Sequence, residues 1–559
     1  MRAGELSSAE RQVWEAFSRG EAVDLRTGDS ELDAPDRDSA WGPDRTVRAR
    51  VLTDLLLGRG EAEPGHVARL ALAGARIEGR LDLGDAEITV PVALTECRFD
   101  DGVTIANARA RRWDFSGSWL ASLDATQAHI DGDLLLRRSR IPGGVRLAGA
   151  RLVGMLLLNH AWLGESGGYA LHAARLVIDH SIYCVRFRAD GGLYLAGARV
   201  GGGVHCPGAR LSNRDGDALE ISRATIDDDL NLTEGFQLDG FLRLVQTHVR
   251  GQIDMSGAQL NNLAGPALIA DNLTVDQSFY AANLVADAEL RLLGAHVAGD
   301  FVLSGARLRN PGGQVLDGGS LVVDRGMRCG PGFVAEGELR LVGSKVGVLD
   351  LCAAEPVSLS VDLRHAQLGI LRHDPPAAAL TMRLDGLTYD TLDPLLSVPD
   401  RLTWLAGQPD GYRPLPYEQL AGTYRRLGHD ADARKVLLAK QRRRRAASSF
   451  PARAWGVLQD WTVGYGYLPG RAALWLLALL TVGTILFWLQ PPLRVQAGTG
   501  FNALVYTLDV LLPVVRLGQA TAFTPAGSGL QWCGYLLTAA GWVLATTVVA
   551  GITRTLTRH

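Results

Sequence analysis

An apolar beat of five to six residues runs from about Val67 to Leu371, and it limits the possible folds more than any single residue does. From Leu81 the chain reads as inward-facing pairs: Leu81/Leu83, Ala86/Ile88, Val92/Leu94, Cys97/Phe99, Val103/Ile105, Ala108/Ala110 and Trp113/Phe115, continuing to Met155/Leu157. Two apolar residues separated by one other residue share one side of a strand, because successive side chains of a strand alternate faces. The interval is too short for helical repeats and too regular for a sandwich of independent strands. A solenoid is expected. Four such short faces close a coil of about 20 to 22 residues, and coils about 4.8 Å apart pair backbone with backbone.

The units Ala75-Arg-Ile77, Ala86-Glu-Ile88, Ala128-His-Ile130, Ala150-Arg-Leu152 and Ala198-Arg-Val200 resemble degenerate copies of the pentapeptide-repeat motif, with Ala two residues before a central Leu or Ile. The Asp or Asn usual beside that Ala is here mostly Arg, His or Glu, and extra residues interrupt the fives. The resemblance covers more than half of the chain and implies a mainly β fold, a right-handed quadrilateral parallel β-helix. It implies no single function, since pentapeptide-repeat proteins have many roles.

A longer period lies on top of the first. Ala161-Trp-Leu163, Ala209-Arg-Leu211, Ala258-Gln-Leu260 and Ala306-Arg-Leu308 are 48 or 49 residues apart, and in each the next inward aliphatic (Leu171, Leu219, Leu268, Leu316) follows the Ala by ten residues. In plain units such as Ala75 to Leu81 that gap is six. Four residues are therefore inserted at one phase of every second coil, and insertions at a fixed phase stack on one side of a solenoid. The ridge they form, with Glu165, Asn213, Arg214, Asp215, Asn261, Asn262, Arg309 and Asn310, is the expected surface for a protein partner. A duplicated unit with solvated turns and no ligand is the plainer alternative.

Residues 1–60 read as a helical cap over the first coil edge: Ser7-x-x-Glu10 is a capping box, a helix runs to about Phe17, and a second is expected from Arg45 to Leu57. The stretch Met1 to Arg19 has no apolar core of the signal-peptide kind. With 65 glycines among 559 residues, the composition suits tight corners between apolar faces. Cys97, Cys206 and Cys352 fall on inward positions and are expected as buried free thiols.

The solenoid is expected over 61–373, because Asp374-Pro-Pro376 interrupts the beat. In 374–455 the period becomes helical: Tyr417 to Leu427 and Ala431 to about Arg445 are similar to one tetratricopeptide-type hairpin, its inner face Leu420, Tyr424, Leu427, Ala433 and Leu437. Residues 456–559 are expected as a membrane domain. Residues 472–489 and 532–552 carry no charge, and a span needs about 20 residues. The Arg run Arg442, Arg443, Arg444 and Arg445 and the flanking Arg453, Arg471, Arg554 and Arg558 outnumber the loop's Arg494 and Arg516. That bias predicts cytoplasmic termini in a bacterial inner membrane and a role for the run in topology or lipid contact. Between the spans, 501–517 is apolar, too short to cross, and contains Asp509, Pro513 and Arg516, which suggests a re-entrant or interfacial segment. The outline is similar to two-helix pore-loop ion channels, without a carbonyl filter sequence. An Asp509/Arg516 ion pair that steadies the loop explains those residues equally.

Little points to chemistry. His129, His248 and His296 repeat at the outward position of their triplets, so no metal is expected there. Glu220, Asp228 and Asp254 are separately plausible acids for a groove-type glycosidase, but nothing in the sequence pairs them. No phosphate loop, dinucleotide fingerprint, serine elbow or zinc motif is present, so no catalytic residue and no cofactor is assigned. Residues 61–370 hold 37 acidic and 29 basic residues, too mild an excess for DNA mimicry, and no basic stripe with interleaved aromatics is expected on the solenoid, so no nucleic-acid partner is expected. The expectation is a membrane-anchored, non-catalytic scaffold that contacts membrane lipids and a protein partner and has scope to form homo-oligomers. A channel using 501–517 and a carbohydrate-active enzyme are the alternatives.

Overall fold

The computed structural model describes residues 6–36, 41–59, 62–262, 264–351, 355–373, 380–446, 469–495, 500–512 and 517–556. The chain divides into two compact units, Met1–Leu396 with Gly407–Pro409, and Ser397–Ala406 with Asp410–His559.

The first unit is a parallel β-solenoid of about 14 turns. One coil shows its construction: Arg109–Ala110, Trp113–Asp114, Trp119–Leu120 and Leu123–Asp124 are four two-residue strands, and His129–Ile130 then lies in register on Arg109–Ala110. Four parallel ladders result, two in a sheet of 26 strands and two in a sheet of 21. The inward members of the strands fill the interior, with Trp113, Phe99, Phe115, Phe187, Phe236, Phe279 and Phe301 among the largest fully buried side chains. Inward hydroxyls find carbonyls: Ser118 donates to Leu94 O at 2.8 Å, Ser139 to Phe115 O at 2.9 Å and Thr247 to Ile221 O at 2.9 Å. Cys97 and Cys206 are buried and free, as are Cys184 and Cys329, and burial pushes the Cys97 thiol up to about 12. Cys352 lies outside the described residues.

Three details differ from the sequence reading. The inward pair after Leu152 is Leu156/Leu158, both fully buried, whereas Met155 is 37% exposed. A run of four apolar residues hides the register there. The expected helix from Arg45 begins only at Ala49, because Thr46–Arg48 is a strand paired in parallel with Arg76–Glu78. Likewise Ala22–Asp24 pairs with Leu70–Ala73 (Ala22 on Ala71), so the cap satisfies the open backbone of the first coil with strands as well as helices. At the far end the ladder runs past Leu371: Thr381–Arg383 and Thr388–Asp393 add another turn, with Met382, Leu384, Leu387, Tyr389 and Leu392 buried.

Helix α1 (Ser8–Arg19) has the capping box the sequence announces, with Ser7 and Glu10 bonded reciprocally. Glu10 is buried and also accepts from Arg48 Nε at 2.7 Å. Burial pushes its carboxyl up, but the bonds from Arg48 and the Ser7 amide outweigh this and hold it below the usual carboxylate range. A depressed folded pKa stabilises the fold above the unfolded value, and that contribution disappears as pH falls through the folded value. We therefore predict that Glu10→Gln costs about 1.5–3 kcal/mol near neutral pH, and that wild type and variant converge in acid denaturation profiles below the ordinary carboxylate range. Helix α2 (Ala49–Asp54) completes the cap.

In the second unit, α3 (Val398–Ala406), α4 (Pro414–Arg426) and α5 (Asp430–Ala446) pack together, so the expected hairpin has a third helix against it. Its inner face holds Tyr417, Leu420, Tyr424, Ala433, Val436 and Leu437, while Leu427 is exposed at the turn. Beyond it lie α6 (Pro469–Leu489), α7 (Ala503–Leu511), α8 (Gln519–Ala522) and α9 (Ser528–Leu556). The expected spans 472–489 and 532–552 fall within α6 and α9, yet among the described residues no helix is long and apolar enough to cross a membrane. Helix α9 opens on Ser528-Gly-Leu-Gln531 and includes Thr538 and Thr546, which dilute its apolar run. Residues 547–552 of the second expected span have side chains outside the described set.

Candidate interaction surfaces

The inserts emerge at one corner of the solenoid. Trp162–His172, Arg210–Glu220 and Arg307–Asp317 are 11-residue strands that span it, and the remaining insert lies between Gln259–Asn261 and Leu268–Ile269. Each starts on one ladder of the smaller sheet and ends on the next: Trp162 sits on Arg140, and Leu171 on Val145. Leu163, Leu211, Leu260 and Leu308 before the inserts are buried, as are Leu171, Leu219, Leu268 and Leu316 after them, which is the phase the sequence predicts.

Three inserts share one device. The amide Nδ2 of Asn213 donates to Asp217 O at 3.0 Å, that of Asn262 to Pro266 O at 2.7 Å and that of Asn310 to Gln314 O at 2.7 Å. These asparagines, expected as contact residues, face their own backbone and fix the loop. The side chain of Glu165, at the same phase in the first insert, lies outside the described residues. Arg214, Asp215, Asn261 and Arg309 are the exposed members; Asn261 donates to Asp239 at 3.2 Å and Arg309 pairs with Glu336 at 3.4 Å. Beneath three of the inserts the following coil supplies a glycine at positive φ: Gly191 (139°), Gly240 (131°) and Gly337 (139°). A Cβ on Gly240 would lie 2.3 Å from Asn213 O, and one on Gly337 2.7 Å from Asn310 O.

Beside the ridge, outward residues of consecutive coils stack as Arg146, His172, Tyr194, Glu220, Arg243, Ile269, Arg291, Asp317, Arg340, Asp362 and Arg383. His172 and Tyr194 are parallel rings 5.2 Å apart, and Tyr169 of the first insert leans on Tyr194 at 4.8 Å. Further along, charges alternate and cancel: Arg243 meets Asp217 at 2.8 Å and Glu220 at 2.9 Å, and Arg340 meets Asp317 at 2.8 Å. A cleft of 680 Å³ opens where the last insert meets this column, lined among others by Glu289, Asn310, Gln314, Glu338 and Arg383. Burial, and then the Asp317 charge, raise the Glu289 carboxyl, while Arg383 binds Glu338 at 2.7 Å.

Glu220 is raised as well, by burial first and by Asp217, against the pull of Arg243. The close Arg243 contact alone argues the other way, but a carboxylate so deeply covered loses more hydration than one shared arginine returns. A raised acid makes the fold lose stability as pH rises from the unfolded value through the folded one. We predict that Glu220→Gln raises stability at neutral pH and flattens the dependence of thermal midpoint on pH over that window.

The three acids considered for glycoside cleavage are not brought together: Glu220 stands in the smaller sheet, Asp254 in the larger one, and Asp228 in the turn between Thr225–Ile226 and Leu230–Asn231. The repeated histidines face outward, each against an aspartate: His129 with Asp131 at 2.8 Å, His248 with Asp276 at 3.0 Å and His296 with Asp324 at 3.0 Å. Among the described residues no group of three or more His, Cys, Asp or Glu is placed to hold a metal ion. No family model, curated protein or solved structure matches the chain.

One feature escaped the sequence reading. On the other side of the ridge, Arg76, Arg98, Trp119, Arg140, Trp162, Arg188 and Arg210 occupy seven consecutive rungs of one ladder. A basic stripe with interleaved aromatics, absent from the sequence reading, is therefore present. The signal was available in the middle residue of successive triplets: Ala-Arg-Ile, Cys-Arg-Phe, Ser-Trp-Leu, Ser-Arg-Ile, Ala-Trp-Leu, Phe-Arg-Ala and Ala-Arg-Leu. Spacings of 21, 22 or 26 residues scatter it along the chain, and only the coil length aligns it.

In the second unit Asp509 is buried and accepts from the amides of Leu517 (2.8 Å) and Ala520 (2.7 Å), so it closes the loop leading into α8. Pro513 and Arg516 lie outside the described residues. Helix α7 packs between α6 and α9: a Cβ on Gly483 would lie 2.5 Å from Thr507 Cγ2, and one on Gly541 1.8 Å from Leu511 O. Arg442, Arg443 and Arg444 are exposed on the last turns of α5, and the side chain of Arg445 lies outside the described residues.

Proposed function

We propose that this protein is a membrane-anchored scaffold whose rigid solenoid presents the insert ridge to a protein partner. The observation that carries the reading is the recurrence, every second coil, of an insert at one corner, braced by an Asn clamp in three of four cases and seated on a glycine of the next coil in three of four. Regular spacing of exposed side chains along a stiff ladder suits recognition of an extended or repeating surface. The pentapeptide kinship and the right-handed winding belong to this same reading.

The bilayer part rests on apolar exposure. Leu474, Leu477, Val482, Trp488 and Leu489 of α6, with Trp532, Leu536 and Val543 of α9, are each between 62% and 72% exposed. Apolar surface of this extent on two packed helices calls for a cover, and lipid is the cover we assign. The exposed arginines of α5 suit anionic headgroups. Alkaline carbonate extraction of membranes from expressing cells tests it: the full chain should stay in the pellet, and a chain ending at residue 455 should be released. Release of the full chain by carbonate would refute anchoring, and retention of the truncated chain would move the anchor into the solenoid.

A further inference from the structure

We propose that the Arg–Trp ladder is a second docking surface, distinct from the ridge, and that its occupant is an extended acidic peptide segment of a partner protein. The chain itself displays the chemistry. The N-terminal segment lays Pro35 and Asp36 across the lower rungs: Arg98 Nη1 donates to Pro35 O at 3.0 Å, and Arg140 Nη1 pairs with Asp36 at 2.7 Å. Three residues earlier, in a turn, Asp33 pairs at 2.8 Å with Arg45, which lies off the ladder just before its first strand. An extended strand rises about 3.3 Å per residue and coils stack about 4.8 Å apart, so acids three residues apart match alternate rungs.

The lower rungs are already neutralised. Arg76 and Arg98 share Asp100 at 2.8 and 2.6 Å, and Arg98 also covers the Trp119 ring at 4.4 Å. Among the described residues the arginines of the upper rungs are not neutralised. Arg188 and Arg210 are exposed and make no ion pair among the described residues. Trp162 donates its Nε1–H to Asp190 at 2.9 Å, and its ring lies against Gly164, where a Cβ would come within 2.9 Å of it. A ring pinned flat in this way offers an apolar face to a proline or an aliphatic side chain. The surface on which the chain's own Pro35 and Asp36 rest therefore continues over Trp162, Arg188 and Arg210, where no other described residue forms an ion pair with either arginine.

A peptide suits this track better than a nucleic acid. A phosphate backbone carries charge at every residue and demands a continuous positive groove, whereas here Asp100, Asp190 and Asp239 border the arginines at intervals. Spaced carboxylates avoid those neighbours.

The test is fluorescence anisotropy of a labelled (Asp-Ala-Pro)4 peptide on the detergent-solubilised full chain, with a labelled dodecathymidylate in parallel. Wild type should bind the peptide, Arg188→Glu/Arg210→Glu should weaken it on the order of tenfold, and Arg199→Glu, an exposed arginine on the other sheet, should leave it unchanged. Asp36→Ala, which frees Arg140, should tighten it. All four substituted side chains are outward or exposed, and unchanged thermal midpoints will show that the coils stay intact. Failure of the peptide to bind, equal loss in the Arg199 variant, or indifference to the Arg188/Arg210 reversal would overturn the proposal. Preferential binding of the oligonucleotide through the same arginines would overturn it in favour of a single-stranded nucleic acid.

Discussion

Replacing Gly240 by valine should open the ridge locally and destabilise its coils by about 3 kcal/mol or more. Two costs combine. The backbone at φ 131° is a region that side-chain-bearing residues almost never enter, worth about 1–3 kcal/mol on its own. The new Cβ would also stand 2.3 Å from Asn213 O and 2.8 Å from Gly216 O, two backbone atoms of the insert above, which have to move for it. Coils of a solenoid contact chiefly their neighbours, so the damage should stay near residues 212–243 and leave the distant ladder intact. Limited trypsinolysis reads this directly: cleavage after Arg214 should accelerate on the order of 100-fold, as a loss of about 3 kcal/mol in local opening implies. Gly235→Ala, at a corner where a Cβ meets nothing within 4 Å, is the control that shares the positive φ without the overlap.

Trp113→Ala should cost about 3–5 kcal/mol, the range for emptying a fully buried aromatic site. Trp113 is fully buried, stacks on Phe115 at 5.3 Å, and sits between Val92 and Leu134 in its ladder. Its ring nitrogen has no hydrogen-bond partner among the described residues, and such a group costs about 1–3 kcal/mol of desolvation. Trp113→Phe removes that penalty along with some volume, and should therefore cost under about 1.5 kcal/mol. The pair separates packing from polarity: urea midpoints showing Phe as damaging as Ala would mean that the indole shape, and not burial alone, holds the coil.

The solenoid was legible because its rule is local. Each inward pair announces a strand, and a phase such as Ala161, Ala209, Ala258 and Ala306 survives as a spacing anyone can count. Boundaries were less legible where the beat blurs: four consecutive apolar residues at Met155–Leu158 fit either register, and Thr46–Arg48 reads as helix until the open edge of the first coil claims it. Side-chain roles were least legible. Asn213 and Asn310 look like contacts in the sequence and turn out to brace their own loops, because whether an amide meets solvent or a carbonyl four residues on depends on the turn. The Arg–Trp ladder needs the register of seven coils at once, so outward residues 21 to 26 positions apart looked unrelated. In the second unit, runs of leucine announced helices, but apolarity alone does not distinguish a helix that crosses a bilayer from one that packs beside others.

The central claim, that the ridge is where this scaffold meets its partner, is tested most directly by site-specific photo-crosslinking in intact cells. A photoreactive residue is placed at Arg214 or Arg309 on the ridge, and at Arg199 on the other sheet. The account predicts one discrete adduct shared by positions 214 and 309 and absent at 199. Adducts of the same pattern from all three positions, or none from the ridge, would contradict it.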